Sequence, residues 1–356
     1  MPPTAKVPVL APVTFAELTG WAEDDPAAAW NAFQSSCRAL QQQAPWREVC
    51  TRAAALPSPD SAAARNFFET HFIPYRVAEP DGATTGLVTG YYEPVLRGSR
   101  VRVKPYLYPL YSPPNDLIVV DLASVVPESK NLRLRGRLEG RRLVPYYTRA
   151  EIDRGLAPLA GRELVWVDDP IEALYLHIQG SGRIRLPNGE TLRVGYAEHN
   201  GQPFGSVARY LVERGELPAA NASMANIQAW ARAHPKRLEE LLAQNPSYVF
   251  FRFLPNGDAG PPGTLGAPLT AGRSIAVDPR YVPLGAPVFL ATTQPGTETP
   301  LARLVLAQDT GSAIKGAVRA DYYWGSGADA GREAGRTRQT GRMWVLLPRG
   351  FPLPAS

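Results

Sequence analysis

Apolar positions recur with two different periods along this chain, and the change of period divides it. Trp30, Phe33, Cys37 and Leu40 fall three or four residues apart, the spacing of one helix face. Asp24-Asp25-Pro26 stands just before them, and a carboxylate cap followed by proline in the first turn opens a helix. The pattern then predicts two helices broken near Ala44-Pro45 and another from about Ser61 to His71. Residues 1–13 are Pro-rich and read as extended.

At Gly86 the period changes. Gly86 to Val95 reads as a strand entering a turn. Residues 104–147 are dense in Pro, Tyr and Arg, and the alternations Leu132 to Arg135 and Arg141 to Val144 suggest short twisted strands. Asp169-Pro170 starts a short helix that stops at Gly180. Ile184 to Val194, with Asn188-Gly189 inside it, predicts a hairpin with a type I′ turn. Helices are expected at about 205–214, 223–233 and 235–244, the second capped by Ser223.

Beyond Tyr248 the pattern is strand again. Val249 to Phe253, Ser274 to Val277, Val288 to Leu290, Leu304 to Leu306 and Met343 to Leu347 lie between Gly/Pro turns, a spacing that suggests a closed barrel. The strand near Gly86 shares that character. The expected organisation is therefore one domain from residues 1–100 and 245–356, with 101–244 inserted.

Composition agrees with a strand-rich chain. Gly and Pro together number 67 of 356 residues, about 19%. No apolar stretch approaches the ~20 residues of a membrane-spanning helix. The net charge of +5 is carried mostly by Arg and forms no basic run, so a nucleic-acid partner is not expected. A mild excess suits either a solvated surface or an acidic polymer. Cys37 and Cys50 form either one disulfide, as in an exported protein, or two buried thiols. The N-terminus has no apolar core of a signal peptide, so export would require a signal already removed.

Several chemistries lack their signatures. The four histidines make no metal-ligand pattern, and neither a G-x-S-x-G elbow nor a P-loop occurs. Carboxylates among glycines and aromatics remain. Glycosidic cleavage needs a protonated carboxyl at the leaving oxygen, and apolar neighbours raise a carboxyl's pKa. Asp321, followed by Tyr322, Tyr323 and Trp324, fits best. Asp309 ends a strand, with Lys315 near enough in sequence to neutralise it. Asp329 is placed to cap a short helix through Arg332, and Asp278 lies upstream. By spacing alone all four are equally compatible with turn aspartates.

Thr89-Gly-Tyr-Tyr-Glu-Pro94, His177-Ile-Gln-Gly-Ser-Gly182, Gly195-Tyr-Ala-Glu-His-Asn200 and Gln308-Asp-Thr-Gly-Ser-Ala-Ile-Lys-Gly316 resemble the membrane-bound lytic murein transglycosylase A family, MltA. The resemblance runs from about residue 13 to 350. It implies a mainly β fold with peripheral helices: a double-psi β-barrel catalytic domain, an inserted smaller β-domain, and a groove between them. It implies cleavage of the β-1,4 bond between N-acetylmuramic acid and N-acetylglucosamine, with 1,6-anhydromuramic products and neither cofactor nor metal. By motif the catalytic aspartate is Asp321, with Asp309 beside it and Asp329 as the third acidic position. Tyr91, Tyr92, Glu93, Gln179, Gly180, Ser181, Lys315 and Asp329 are the substrate-binding candidates. The alternative for the tyrosines is a buried strand end, and for Gly180 to Gly182 a helix stop. Glu198, His199 and Asn200 face the groove or staple the insert. The implied setting is the periplasm, with outer-membrane anchoring in the full-length protein. The implied partners are peptidoglycan glycan strands and wall-remodelling proteins, with the chain itself a monomer. A non-catalytic wall-binding protein and an inverting glycoside hydrolase are the competing readings.

Overall fold

The structure, a computed structural model, describes residues 9–122, 124–126, 134–257 and 259–353. In chain order its strands are β1 (Leu10–Pro12), β2 (Phe72–Val77), β3 (Gly86–Glu93), β4 (Val95–Ser99), β5 (Tyr108–Tyr111), β6 (Ile118–Val119), β7 (Arg135–Glu139), β8 (Arg142–Pro145) and β9 (Glu163–Val167). There follow β10 (Ser181–Arg185), β11 (Thr191–His199), β12 (Val249–Leu254), β13 (Ser274–Ala276), β14 (Pro287–Thr293), β15 (Pro300–Asp309), β16 (Ala320–Ser326) and β17 (Arg338–Pro348). The chain is mainly β with peripheral helices, and it forms two compact units, Met1–Tyr92 with Asp258–Ser356, and Glu93–Gly257.

In the first unit one sheet runs β1-β2-β17-β14-β15-β13-β16-β3, and β3 also pairs with β17. The strands β17, β14, β15, β13, β16 and β3 therefore return on themselves. Val88, Ile275, Val288, Leu304, Leu306, Tyr322 and Val345 fill the interior core. Asp25 accepts from Ala27 N–H at 3.1 Å, and Pro26 follows, so the chain enters its first long helix as the cap residues predict. That helix, Trp30–Leu40, packs with Ser61–His71 through an aromatic cluster of Trp30, Phe33, Phe67, Phe68 and Phe72. Cys37 and Cys50 are joined as a disulfide that ties Trp30–Leu40 to the next helix, Ala44–Ala54.

In the second unit a sheet runs β12-β11-β10-β4-β9-β5, beside a small sheet β6-β7-β8. Leu96, Leu110, Val165, Leu176, Ile184, Val194 and Phe251 form its core. Asp169 accepts from Ile171 N–H at 2.8 Å and Glu172 N–H at 3.0 Å, starting the helix Pro170–Gln179, and Ser223 caps Met224–Ala233.

Two local expectations are corrected. The unit boundaries fall at 92/93 and 257/258 rather than near 100 and 245. The reason is strand pairing: β12 lies antiparallel on β11 over Arg193↔Leu254 to His199↔Val249, and β4 lies parallel on β10, so neither belongs to the sheet of the first unit. The β10–β11 turn is not type I′. No residue other than glycine has positive φ among the described residues, so Asn188 does not supply the turn's left-handed position. Gly189 N–H instead donates to Leu186 O at 3.0 Å, with Gly189 at φ +87°. Arg142–Pro145 is the expected second alternating strand; of the first, Leu132 and Arg133, like residues 1–8, lie outside the described residues, while Arg135 begins β7. Among the described residues no helix is long and apolar enough to cross a membrane.

Candidate active site

Side chains alternate between faces along a strand, and that alternation builds the site. Thr89 and Tyr91 share one face of β3; Arg319, Asp321 and Tyr323 share one face at the start of β16. The two strands are neighbours. Thr89 Oγ1 donates to Asp321 Oδ1 at 2.5 Å, and Arg319 Nη2 donates to Thr89 Oγ1 at 2.9 Å. The Tyr91 ring lies 5.2 Å from the Tyr323 ring, and its hydroxyl donates to Asp309 Oδ2 at 3.2 Å. Asp309 Oδ1 accepts from Thr264 N–H, Thr264 Oγ1 and Thr310 N–H, each at 2.9 Å.

The two carboxyls are electrostatically unequal. Burial pushes Asp321 up to about 6; the Thr89 hydrogen bond and the Arg319 charge pull the other way, and the nearby Asp309 charge adds to the rise. Burial also raises Asp309, against the pull of Thr264, Thr310 and Tyr91. Asp309 accepts four hydrogen bonds, which suit an ionised carboxylate, whereas among the described residues only Thr89 is hydrogen-bonded to the Asp321 carboxyl. Burial, then the charges of Asp309 and Asp321, raise the Tyr91 hydroxyl well above its ordinary range, so it is a neutral donor.

The aromatics next to Asp321 in sequence do not all surround it. Tyr322 points into the core, where its hydroxyl donates to Gly272 O at 2.8 Å and meets Arg303. Trp324 takes the same side as Tyr322 and donates to Thr337 Oγ1 at 2.8 Å. A Cβ on Gly90 would stand 2.7 Å from Trp324 Nε1, so glycine at this strand position is required by packing. Tyr323 and Tyr91 are the rings on the carboxyl side.

The remaining expected site residues are distributed differently. Tyr92 faces away from Tyr91 and packs on Ala330 and Ala334 of the helix Gly327–Arg336. Glu93 is fully buried in the second unit and accepts from Arg183 Nε at 2.8 Å, so it is a structural ion pair. Gly180 is the left-handed C-cap of Pro170–Gln179 at φ +79°, and Ser181 begins β10. Gly182 is close-packed, since a Cβ there would meet Leu176 Cδ1 at 2.4 Å. The helix-stop reading therefore describes Gly180 to Gly182, and Gln179 is the half-buried last residue of the helix. Asn200 is fully buried and stitches Tyr147 O, Pro246 O and Tyr248 N–H, while Glu198 pairs with Arg135 at 2.9 Å. His199 Nδ1 accepts from Gly201 N–H at 2.9 Å within the same turn. Asn200 and Glu198 thus act as staples between distant segments, whereas this His199 bond is local.

Lys315 is exposed and makes no ion pair with Asp309; the loop turns its side chain to solvent, and hydroxyl and amide donors satisfy Asp309 instead. Asp329 lies exposed in the first turn of Gly327–Arg336, paired with Arg332. Asp278 is buried too, but Arg280 and Gly316 N–H hold it. Sequence reasoning missed Thr89, Arg319 and Thr264. The first two carry a readable signal, because each stands two residues before a candidate on the same strand face.

The fold and this cluster together define a mainly β protein whose candidate chemistry rests on two unlike carboxyls on the strands that flank β13. A model of the MltA specific insert domain matches residues 87–252, and a model of the 3D domain matches residues 273–347. The chain belongs to the MltA family. It is 32% identical over 272 residues to membrane-bound lytic murein transglycosylase A of Escherichia coli (strain K12), covering 72% of this chain and 64% of the relative, under two thirds of its length. It resembles the crystal structure of MltA from Neisseria gonorrhoeae, monoclinic form, with TM-score 0.86 and 41% identity over 96% of this chain and 93% of that one. It also resembles E. coli MltA with bound chitohexaose, with TM-score 0.71 and 26% identity over 96% of each chain.

Proposed function

We propose that this chain is a lytic transglycosylase of peptidoglycan. It cleaves the β-1,4 bond between N-acetylmuramic acid and N-acetylglucosamine, and Asp321 serves as both acid and base. The observation that carries the reading is a half-buried carboxyl that desolvation raises to about 6, close enough to neutrality to hold its proton when substrate arrives. Its setting in a family of lytic murein transglycosylases, one bound to chitohexaose, supports the choice of substrate. The closed run of strands β17-β14-β15-β13-β16-β3 is read as the family's double-psi barrel.

The chemistry balances with one carboxyl. Asp321 gives its proton to the departing glucosamine O4 as the C1–O4 bond breaks. The muramic C1 becomes oxocarbenium-like, and the Asp309 carboxyl, held by four hydrogen-bond donors, favours that charge. The sugar's own C6 hydroxyl attacks C1 and returns its proton to Asp321. No water enters, because an internal nucleophile replaces it with a gain from proximity. Asp309 is poorly suited to the base of an inverting hydrolase. One of its oxygens accepts three donors and the other accepts Tyr91, so an attacking water would have to displace one of them.

Tyr91 is the substrate contact on the carboxyl side, and Gln179 is a separate substrate-contact candidate within the second unit. A periplasmic site, with anchoring in the full-length protein, accords with the relatives' name as membrane-bound enzymes. Digestion of purified murein followed by mass analysis tests the function. Products one water lighter than hydrolysis products, and resistant to borohydride, are expected. Reducible muramic ends would make the protein a hydrolase, and undigested murein with bound protein would make it a wall-binding module.

A further inference from the structure

Away from the carboxyls, the outward face of β1, β2 and β17 carries a second constellation. A cavity of about 280 Å³ is lined by Val13, Glu17, Arg76, Thr84, Arg342 and Trp344. It shares no residue with the Asp309–Asp321 cluster. Register explains the lining. Arg76 on β2 lies directly opposite Trp344 on β17, and Arg342 stands two residues before Trp344 on the same face. Arg76 and Arg342 are thus diagonal cross-strand neighbours, within mutual reach of long side chains. Both are exposed, and neither makes an ion pair among the described residues. Like charges so placed repel unless an anion lies between them.

Glu17 offsets Arg76 only at a distance: after the Thr14 hydrogen bonds, the Arg76 charge helps lower its carboxyl, but among the described residues no ion pair joins it to either arginine. Its Oε1 accepts from Thr14 N–H at 2.9 Å and Thr14 Oγ1 at 3.1 Å, closing a capping box. Phe15 and Trp21, ahead of and behind it, fix this turn, with ring centroids 5.1 Å apart, and Trp21 is anchored against Phe289. The cavity is therefore held on a rigid base rather than by a loose loop.

We propose that this cavity binds the free carboxylate end of a short peptide, clamped by Arg76 and Arg342. Guanidinium groups match a carboxylate in a planar, two-point geometry. The lining carries two positive charges and one negative, a balance of +1 that suits a monoanion better than a phosphate dianion. Val13 and the edge of Trp344 supply an apolar wall for the side chain next to the carboxylate. The volume falls just under the ~300–1,000 Å³ of drug-sized pockets, which suits one or two residues rather than a longer ligand. If the function proposed above holds, a peptide stem of the wall polymer is one source of such an end; the binding claim itself does not depend on that function.

The test uses the full chain and N-acetyl-alanyl-alanine as probe, with its C-terminal amide and inorganic phosphate as comparators, titrated by calorimetry or NMR. The acid is expected to bind at least tenfold more tightly than the amide and more tightly than phosphate. Arg76→Gln and Arg342→Gln should each weaken the acid at least tenfold while leaving Tm and cleavage of glycan unchanged. Asp321→Asn should leave peptide binding intact, which separates this claim from the catalytic one. Equal binding of acid and amide, tighter binding of phosphate, no binding at about 10 mM, or binding indifferent to both arginine variants would overturn the proposal. If either variant lowers Tm, the acid-to-amide ratio on the unaltered protein decides.

Discussion

Two aspartates of the same unit, Asp278 buried and Asp321 half-buried, have been driven in opposite directions. At the Asp278 turn, burial alone would raise the carboxyl. Arg280, reaching both oxygens, and the N–H groups of Gly316 and Arg280 outweigh it and hold it at about 2. On β16, Asp321 has one hydroxyl donor and a more distant guanidinium, and burial wins, leaving it at about 6. The same residue type thus serves as a fixed structural anion in one place and as a proton reservoir in the other. Direct contact with arginine decides which. Arg319 lies near Asp321 but spends its donors on Thr89 Oγ1 and the carbonyls of Leu87 and Ala320. It reaches the carboxyl through the threonine hydroxyl.

The largest expected effect separates the two sites by function. Asp321→Asn keeps the shape and loses the acid, so murein cleavage should fall by ~10²–10⁴. Asp278→Asn should leave the rate of correctly folded enzyme within severalfold. A comparable loss of rate per folded molecule in Asp278→Asn would erase the distinction.

Stability should separate them with opposite sign. Asp321's folded value lies above the ordinary 3.8, so its contribution is fully present below about 4 and is lost as pH rises through about 6. Asp278's folded value lies below 3.8, so its contribution is present above about 4 and is lost as pH falls through about 2. At pH 8, Asp321→Asn is therefore expected to stabilise the protein by up to about 2–3 kcal/mol. Asp278→Asn is expected to destabilise it by about 1 kcal/mol after solvent screening. Urea unfolding at pH 8 checks both signs.

Smaller effects sharpen the electrostatic argument. Tyr91→Phe removes one donor to Asp309 and should lower the rate about tenfold, roughly the value of a hydrogen bond to a charged group. Arg319→Met removes the positive charge near Asp321. The alkaline limb of the rate profile, expected to fall tenfold per pH unit above about 6, should then move upward by about half a unit to one unit. A limb that stays in place would show that Arg319 does not act on Asp321.

Some of this was legible in the residues and some was not, for a consistent reason. Helix starts at Asp25-Pro26, Asp169-Pro170 and Ser223 are local, because a cap and its amide donors lie within three residues. The strand Val249–Leu254 was also legible, yet which sheet it joins depends on β11, some fifty residues earlier, and no local pattern carries that. At the site, Asp309 and Asp321 were reachable through motif and aromatic context. Treating Tyr322, Tyr323 and Trp324 as one desolvating group ignored strand alternation, which sends Tyr322 and Trp324 away from Asp321. The same parity separates Tyr91 from Tyr92. Thr89 meets Asp321 across a sequence separation of 232, a pairing that only the closure of β3 on β16 and β17 creates.

The central claim is that Asp321 carries a proton near neutrality. Carboxyl titration by carbon-13 NMR, with Asp321→Asn to assign the resonance, measures it directly. A midpoint near 6 is the predicted result. A midpoint near the ordinary 3.8 would leave the site without its acid and contradict the account.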